Sequence, residues 1–128
     1  MAKSTYLENT LLNLVLNNTT YTPPAAVYVE LYTVSPGPGG GGTPVSGNGY
    51  TRMQATFSPA SNGTMVNSAN VVFPQATGSG WGTISYFGIF DDPSAGNLLY
   101  YGALTAAKTI GAGDQLQFAA GGITVTES

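Results

Sequence analysis

Neither cysteine nor histidine occurs in the 128 residues. The first absence excludes disulfides, thiolate zinc sites and cysteine nucleophiles. The second removes any Ser-His-Asp triad, zinc–imidazole site or imidazole base. Charge is almost as scarce. Only 7% of residues are charged, three Lys or Arg against six Asp or Glu, for a net charge of −3, where a soluble domain usually carries about 25%. A nucleic-acid binder needs a basic footprint that this chain lacks, so no nucleic-acid partner is expected. An isolated monomer normally carries more charge to stay soluble, whereas interface cores are depleted of it. Much of the surface is therefore expected to be covered by other subunits. No stretch approaches the roughly 18 consecutive apolar residues of a membrane span, so no membrane partner is expected. Glu8 and Asn9 interrupt what would be the apolar region of a signal peptide, so none is expected. Hydrophobic residues make up 42% of the chain, and the disorder signature of low hydrophobicity with high net charge is missing.

What is present points to strands. The densest aromatic and β-branched run is Trp-Gly-Thr-Ile-Ser-Tyr-Phe-Gly-Ile-Phe at 81–90, with the single tryptophan at its start. Ile84, Tyr86, Gly88 and Phe90 fall on one strand face and Ser85, Phe87 and Ile89 on the other. Both faces are mainly apolar, which predicts a central strand covered on both sides. Gly88 marks a bulge or a close approach, and Asp91-Asp92-Pro93 ends the strand. Residues 5–17 are the one good helix candidate. Thr5 and Glu8 read as a capping-box pair, and Leu7, Leu11, Leu14 and Val15 recur at helical spacing, widened by Leu12 and Leu16. So apolar a helix needs cover, from its own sheets or from a neighbouring subunit.

Residues 27–33 alternate as a half-buried strand, Val27, Val29 and Leu31 against Tyr28, Glu30 and Tyr32. The run Ser-Pro-Gly-Pro-Gly-Gly-Gly-Gly at 35–42 lacks the Lys-Ser/Thr and helix of a P-loop and reads as a mobile surface loop. Asn48-Gly49 supplies a turn with positive φ. Further strands are expected at 50–57, 64–67, 69–73 and 98–104, then a hairpin of 108–110 with 115–119, then 123–126. That makes about eight strands at roughly 8–15-residue spacing, the pattern of an antiparallel β-sandwich or jelly roll behind one N-terminal helix. The fold class is mainly β. The chain reads as one domain over 1–128, with 1–20 as a helical arm and 21–128 as the β-sandwich.

Chemistry finds little purchase. Asp91-Asp92 with Asn97 could contribute to a calcium site, but EF-hand spacing is missing and turn roles fit better. Glu30 and Asp114 could in principle meet as a glycosidase pair, with no supporting surroundings. Asn17-Asn18-Thr19 and Asn62-Gly63-Thr64 match a glycosylation acceptor that matters only in a eukaryotic secretory context. The eight tyrosines could form a sugar-binding stack, though dispersed strand tyrosines more often fill cores and interfaces. Arg52, the one arginine, reads as an inter-subunit or turn-carbonyl clamp or as a solvated strand residue. No catalytic residue, metal ligand or cofactor-binding residue is assigned, and the chain is not expected to be an enzyme.

Tyr-Leu-Glu-Asn at 6–9, Leu-Leu-Asn at 11–13, Tyr-Thr-Pro-Pro-Ala at 21–25 and Val-Tyr-Val at 27–29 resemble the opening of a family of small tailed-bacteriophage virion proteins. The resemblance continues through Val-Ser-Gly at 45–47 with Tyr50 and Arg52, Val-Phe-Pro at 72–74, Trp-Gly-Thr-Ile at 81–84, Phe-Gly-Ile-Phe-Asp at 87–91 and Gly-Asn-Leu-Leu-Tyr at 96–100. It implies a structural protein of the virion, made in the bacterial host cytoplasm. The first expectation is a capsid decoration (cement) protein on the capsid exterior, a trimer bridging major capsid subunits. The alternative is a tail-fibre or receptor-binding module, contacting tail proteins and a host surface receptor through loops 35–48 and 91–97. Subunit contacts are expected at Tyr6, Leu7, Leu11 and Leu14 of the helix, with Arg52, Tyr28 and Tyr32.

Overall fold

A computed structural model of the chain describes residues 1–127. Among these lie one helix and ten strands: β1 (Ala2–Lys3), α1 (Thr5–Leu16), β2 (Val27–Val34), β3 (Thr43–Pro44), β4 (Met53–Ala55), β5 (Thr64–Val66), β6 (Val71–Val72), β7 (Gly82–Phe90), β8 (Leu98–Ile110), β9 (Gln117–Phe118) and β10 (Thr124–Thr126). The fold is mainly β with antiparallel pairing and one N-terminal helix, as expected. Its layers are unequal, however. A six-stranded sheet runs β1-β8-β7-β2-β3, with β4 sharing the outer edge of β2, while β5–β10 and β6–β9 form two separate ribbons. Val29, Leu31, Ile84, Phe87 and Ile89 of the large sheet form one core with Val71, Phe73, Leu116, Ile123 and Val125 of the ribbon region.

The run at 81–90 does become the central strand, flanked by β2 and β8. Its faces are not those of a regular strand. The pairing of β7 with β8 jumps from Ile84↔Lys108 to Tyr86↔Ala103, and the irregularity resets which side chains point inward. Ile84 joins Phe87 and Ile89 in the main core, while Tyr86 and Phe90 belong to a second cluster with Tyr32, Leu98 and Tyr101. That second cluster also corrects the reading of β2 as half-wet, because Val29 through Tyr32 are all buried.

Gly88 sits at the closest approach in this cluster. A Cβ there would lie 2.7 Å from Leu98 Cδ1 and 3.3 Å from Tyr32 Cε1. The expected 108–110/115–119 hairpin does not form. Its turn exists, closed by Asp114 N donating to Gly111 O at 3.0 Å. But the long β7 captures residues 108–110 into the large sheet, and Phe118 crosses to pair with Val71. Burial of Leu116 against the core outweighs the local turn.

Asn67 joins the two ribbons. It is almost fully buried, yet its amide donates to Ala69 O and Ala119 O, both at 2.9 Å, and its Oδ1 accepts from Ile123 N at 2.8 Å. Every polar atom of the side chain is satisfied, which is what makes its burial tolerable. Trp81 is anchored likewise, its Nε1 donating to Asn48 O at 2.9 Å and its ring edge-on to Tyr50 with centroids 5.3 Å apart. Asn48 and Gly49 take positive φ, 51° and 81°, as the turn chemistry required.

Replacing Gly88 with valine forces two methyl groups into the Leu98–Tyr32 contact. It is expected to cost about 1–3 kcal/mol, the usual range for overpacking. Urea unfolding measures this; an unchanged midpoint would mean Leu98 can step aside.

Candidate functional site

Helix α1 is held firmly at its root and left open along its length. Ser4, not Thr5, is the N-cap, because its Oγ accepts from Leu7 N at 3.1 Å. The expected Thr5–Glu8 capping box therefore does not form, because the position three after the cap is Leu7, and Glu8 simply supplies negative charge to the first turn. Ser4 Oγ also donates to Leu98 O, and Ser4 N donates to Leu99 O at 2.8 Å. Thr5 N donates to Pro38 O at 2.9 Å, so the glycine-rich loop at 35–42 is tied to the helix root rather than standing apart. At the far end Asn17 N donates to Asn13 O at 3.1 Å, and Asn18 takes φ 52°. An asparagine in the left-handed region is a usual way to stop a helix.

Only Leu7 of the helix is buried. Leu12, Val15 and Leu16 remain 57%, 73% and 79% exposed, and Leu14 is exposed too. These side chains give little stability to the protomer, since each leaves most of its apolar area in water. Leu11 is partly covered, and with Leu12, Val15 and Leu16 it lines a shallow groove whose other wall holds Lys3 and Glu127.

Glu127 is the polar hub beside the helix. Lys3 Nζ forms an ion pair with its Oε1, and Tyr100 Oη donates to its Oε2 at 2.6 Å. The Lys3 hydrogen bond first, then the Tyr100 hydroxyl, hold the Glu127 carboxyl below its ordinary value of 4.5. Burial, and then the carboxylate it faces, push Tyr100 up.

A second polar centre fixes the β7–β8 turn. Arg52 Nε donates to Glu30 Oε2 at 2.6 Å, and its NH1 donates to Asp92 O at 2.9 Å and Ala95 O at 2.7 Å. The guanidinium carbon lies 3.8 Å from the centroid of the Phe90 ring, a cation–π contact. Tyr50 Oη donates to Glu30 Oε1 and accepts from Leu31 N at 2.9 Å. Burial chiefly, then the bond to Glu30, drives the Tyr50 hydroxyl upward, so it stays protonated. Of the readings open for Arg52, the turn-carbonyl clamp is the one formed within the chain. Asp92 Oδ1 accepts from Ser94 N and Ala95 N at 3.0 and 2.9 Å, and Asp91 Oδ1 from Asn97 N at 2.7 Å. Both aspartates serve as turn acceptors. Glu30 is committed to Arg52 and Tyr50, and Asp114 Oδ2 accepts from Gly111 N at 2.8 Å.

The residues expected at subunit contacts fall in three settings. Tyr6, Leu14 and, in part, Leu11 face outward on the helix. Leu7 and Tyr32 are buried inside the protomer, where burial pushes the Tyr32 hydroxyl up to about 12. Tyr28 is half-buried, and Arg52 is spent on the turn. Val15 and Leu16, the most exposed apolar side chains of the helix, were placed in its apolar stripe but not among the expected contacts, because helical spacing alone cannot say which face is covered. Lys3 and Glu127, 124 residues apart, left no local signal at all.

A small β body carrying one bare apolar helix, with its polar groups engaged in holding strands and turns, is the architecture of a structural module. A family model described as podophage GP4 fiber I protein gp80 matches residues 2–126. The chain belongs to this family and is a bacteriophage virion structural protein. No curated protein matches the chain.

Two outcomes follow from the polar centres. Arg52→Ala strands the buried Glu30 and should cost about 3–5 kcal/mol. Arg52→Lys keeps the charge but loses the fork, so its thermal melt should fall between alanine and wild type. Equal melts for lysine and wild type would show that charge alone suffices. Glu127, with its folded pKa depressed, contributes stability above 4.5 that is lost as pH falls through the lower folded value. Protection of the Lys3 and Ser4 amides in hydrogen exchange should therefore drop in that acid window before protection of the Val29 and Phe87 amides does.

Proposed function

We propose that the chain is a repeating subunit of a virion fibre, self-associating through its N-terminal arm and acting by binding alone. The observation that carries this reading is the bare face of α1. Leu12, Val15 and Leu16 stand exposed on a chain with only 7% charged residues, a combination that favours burial in an assembly. The family description supports the fibre over other virion roles. In a fibre, identical subunits repeat weak contacts, and avidity makes the whole persistent. The turn at 91–97, braced by Arg52, would be the rigid loop offered outward to tail proteins or a host surface receptor. Its carboxylates are occupied by backbone amides, so contacts there would run through the exposed Pro93–Gly96 surface.

A second reading is a trimeric decoration protein on the capsid exterior, bridging major capsid subunits. Low surface charge with an apolar helix suits a seam between shell subunits equally well, and binding only the assembled shell would stabilise it by mass action.

Quantitative mass spectrometry of purified virions with immunogold labelling separates the two. Few copies confined to the tail are expected for the fibre. Many copies spread over the head would establish the decoration protein instead, and absence from the particle would defeat both.

A further inference from the structure

Between the large sheet and the β5–β10 ribbon lies an open apolar cavity of about 470 Å³. Ile89 and Leu99 form its wall on the sheet side, Met65 and Val125 on the ribbon side, and Phe57 and Ala60 line the connection between them. Glu127 lines both this cavity and the groove along α1. The one charged group at the cavity among the described residues is thus already paired with Lys3 and hydrogen-bonded by Tyr100. Nothing in the lining asks for a charged or strongly polar occupant.

The same chain displays a surface of matching chemistry. Leu12, Val15 and Leu16 sit at i, i+3 and i+4, forming one aliphatic ridge, and the helix has no charged residue after Glu8. The ridge does not fill its own protomer's cavity. The root is fixed by the bonds of Ser4 and Thr5 to Leu98, Leu99 and Pro38, and the ridge remains exposed. The ridge carries no charge, and the cavity is apolar but for Glu127, whose carboxylate is already engaged by Lys3 and Tyr100; that match makes a second copy of this chain the fitting occupant. We infer that the C-terminal half of α1 from one copy inserts Leu12, Val15 and Leu16 into the Phe57–Met65–Val125 cavity of another.

The inference rests on the self-association proposed above and names its contact. A patch that docks on a different patch of the next copy makes a ring if the rotation closes and a filament if it does not. Both are geometries from which a fibre can be built.

The absence of cysteine makes the test clean. Leu16→Cys and Ala60→Cys proteins, each carrying one thiol, are mixed under mild oxidation, so a Leu16–Ala60 crosslink can only join two molecules. Both positions are exposed, so neither change should disturb folding, which circular dichroism checks. A mixed disulfide is the expected result. Disulfides formed only between two Leu16→Cys molecules would overturn the inference in favour of a helix-on-helix contact, and no disulfide would overturn it outright. Sedimentation gives the second measurement. Val15→Glu and Leu16→Glu should each weaken self-association by roughly tenfold or more, as expected from losing one buried aliphatic side chain. Met65→Glu, at the other side of the contact, should do the same. Wild-type protein that sediments as a monomer, or that carries an apolar small molecule in native mass spectrometry, would also overturn it. None of these results depends on where the protein sits in the virion, so the fibre reading can fail while this contact stands, and the reverse.

Discussion

The Glu30–Arg52 ion pair is where three distant parts of the chain are joined. Glu30 lies in the middle of β2, Arg52 just before β4, and the carbonyls of Asp92 and Ala95 belong to the turn between β7 and β8. Both side chains are largely out of water, Arg52 11% and Glu30 8% exposed. A buried pair of this kind adds little net stability over an apolar replacement, but either charge left alone is costly. Its effect is one of specification. Only the arrangement that brings the turn carbonyls, Phe90 and Tyr50 together satisfies both charges, so alternative registers of β2 against β7 are disfavoured.

That pair, with Lys3–Glu127, explains how so uncharged a chain manages its surface. Of the three cations, Arg52 and Lys3 are engaged in ion pairs within the protomer, one bracing a turn and one tying β1 to the C-terminal end. Charge that would otherwise sit in solvent is used to hold the frame. The exposed surface is correspondingly sparse in charge, with Glu8, Lys108 and Asp114 among the few charged side chains it carries. The helix follows the same logic, since its root is bonded at several points while its ridge contributes almost nothing to the fold that carries it.

Local patterns in the chain were legible where local physics decides. Thr5 with Glu8 marked a helix start to within one residue, because capping is a short-range demand. The 81–90 run announced a strand buried on both faces because no other environment suits such a density of aromatic and β-branched side chains. Asn48-Gly49 announced its turn through backbone conformation alone. Errors arose where two distant segments compete. Residues 108–110 looked like half of a hairpin with 115–119, and the turn between them is real, but β7 offered a longer partner. Ile84 was assigned to the wrong face because the slip in the β7–β8 register is a property of the pair, invisible in either strand.

The sequence by itself determined a mainly β chain with one N-terminal helix, a buried central strand, and a scarcity of charge, since each of these follows from composition or short-range periodicity. Tertiary structure alone decided which side of the helix is bare, that Arg52 clamps a turn, and that Lys3 meets Glu127. It also decided that a cavity opens beside an aliphatic ridge. These depend on packing between residues tens to more than a hundred positions apart, where the deciding free energy is shared among many contacts and no single stretch of chain carries its record.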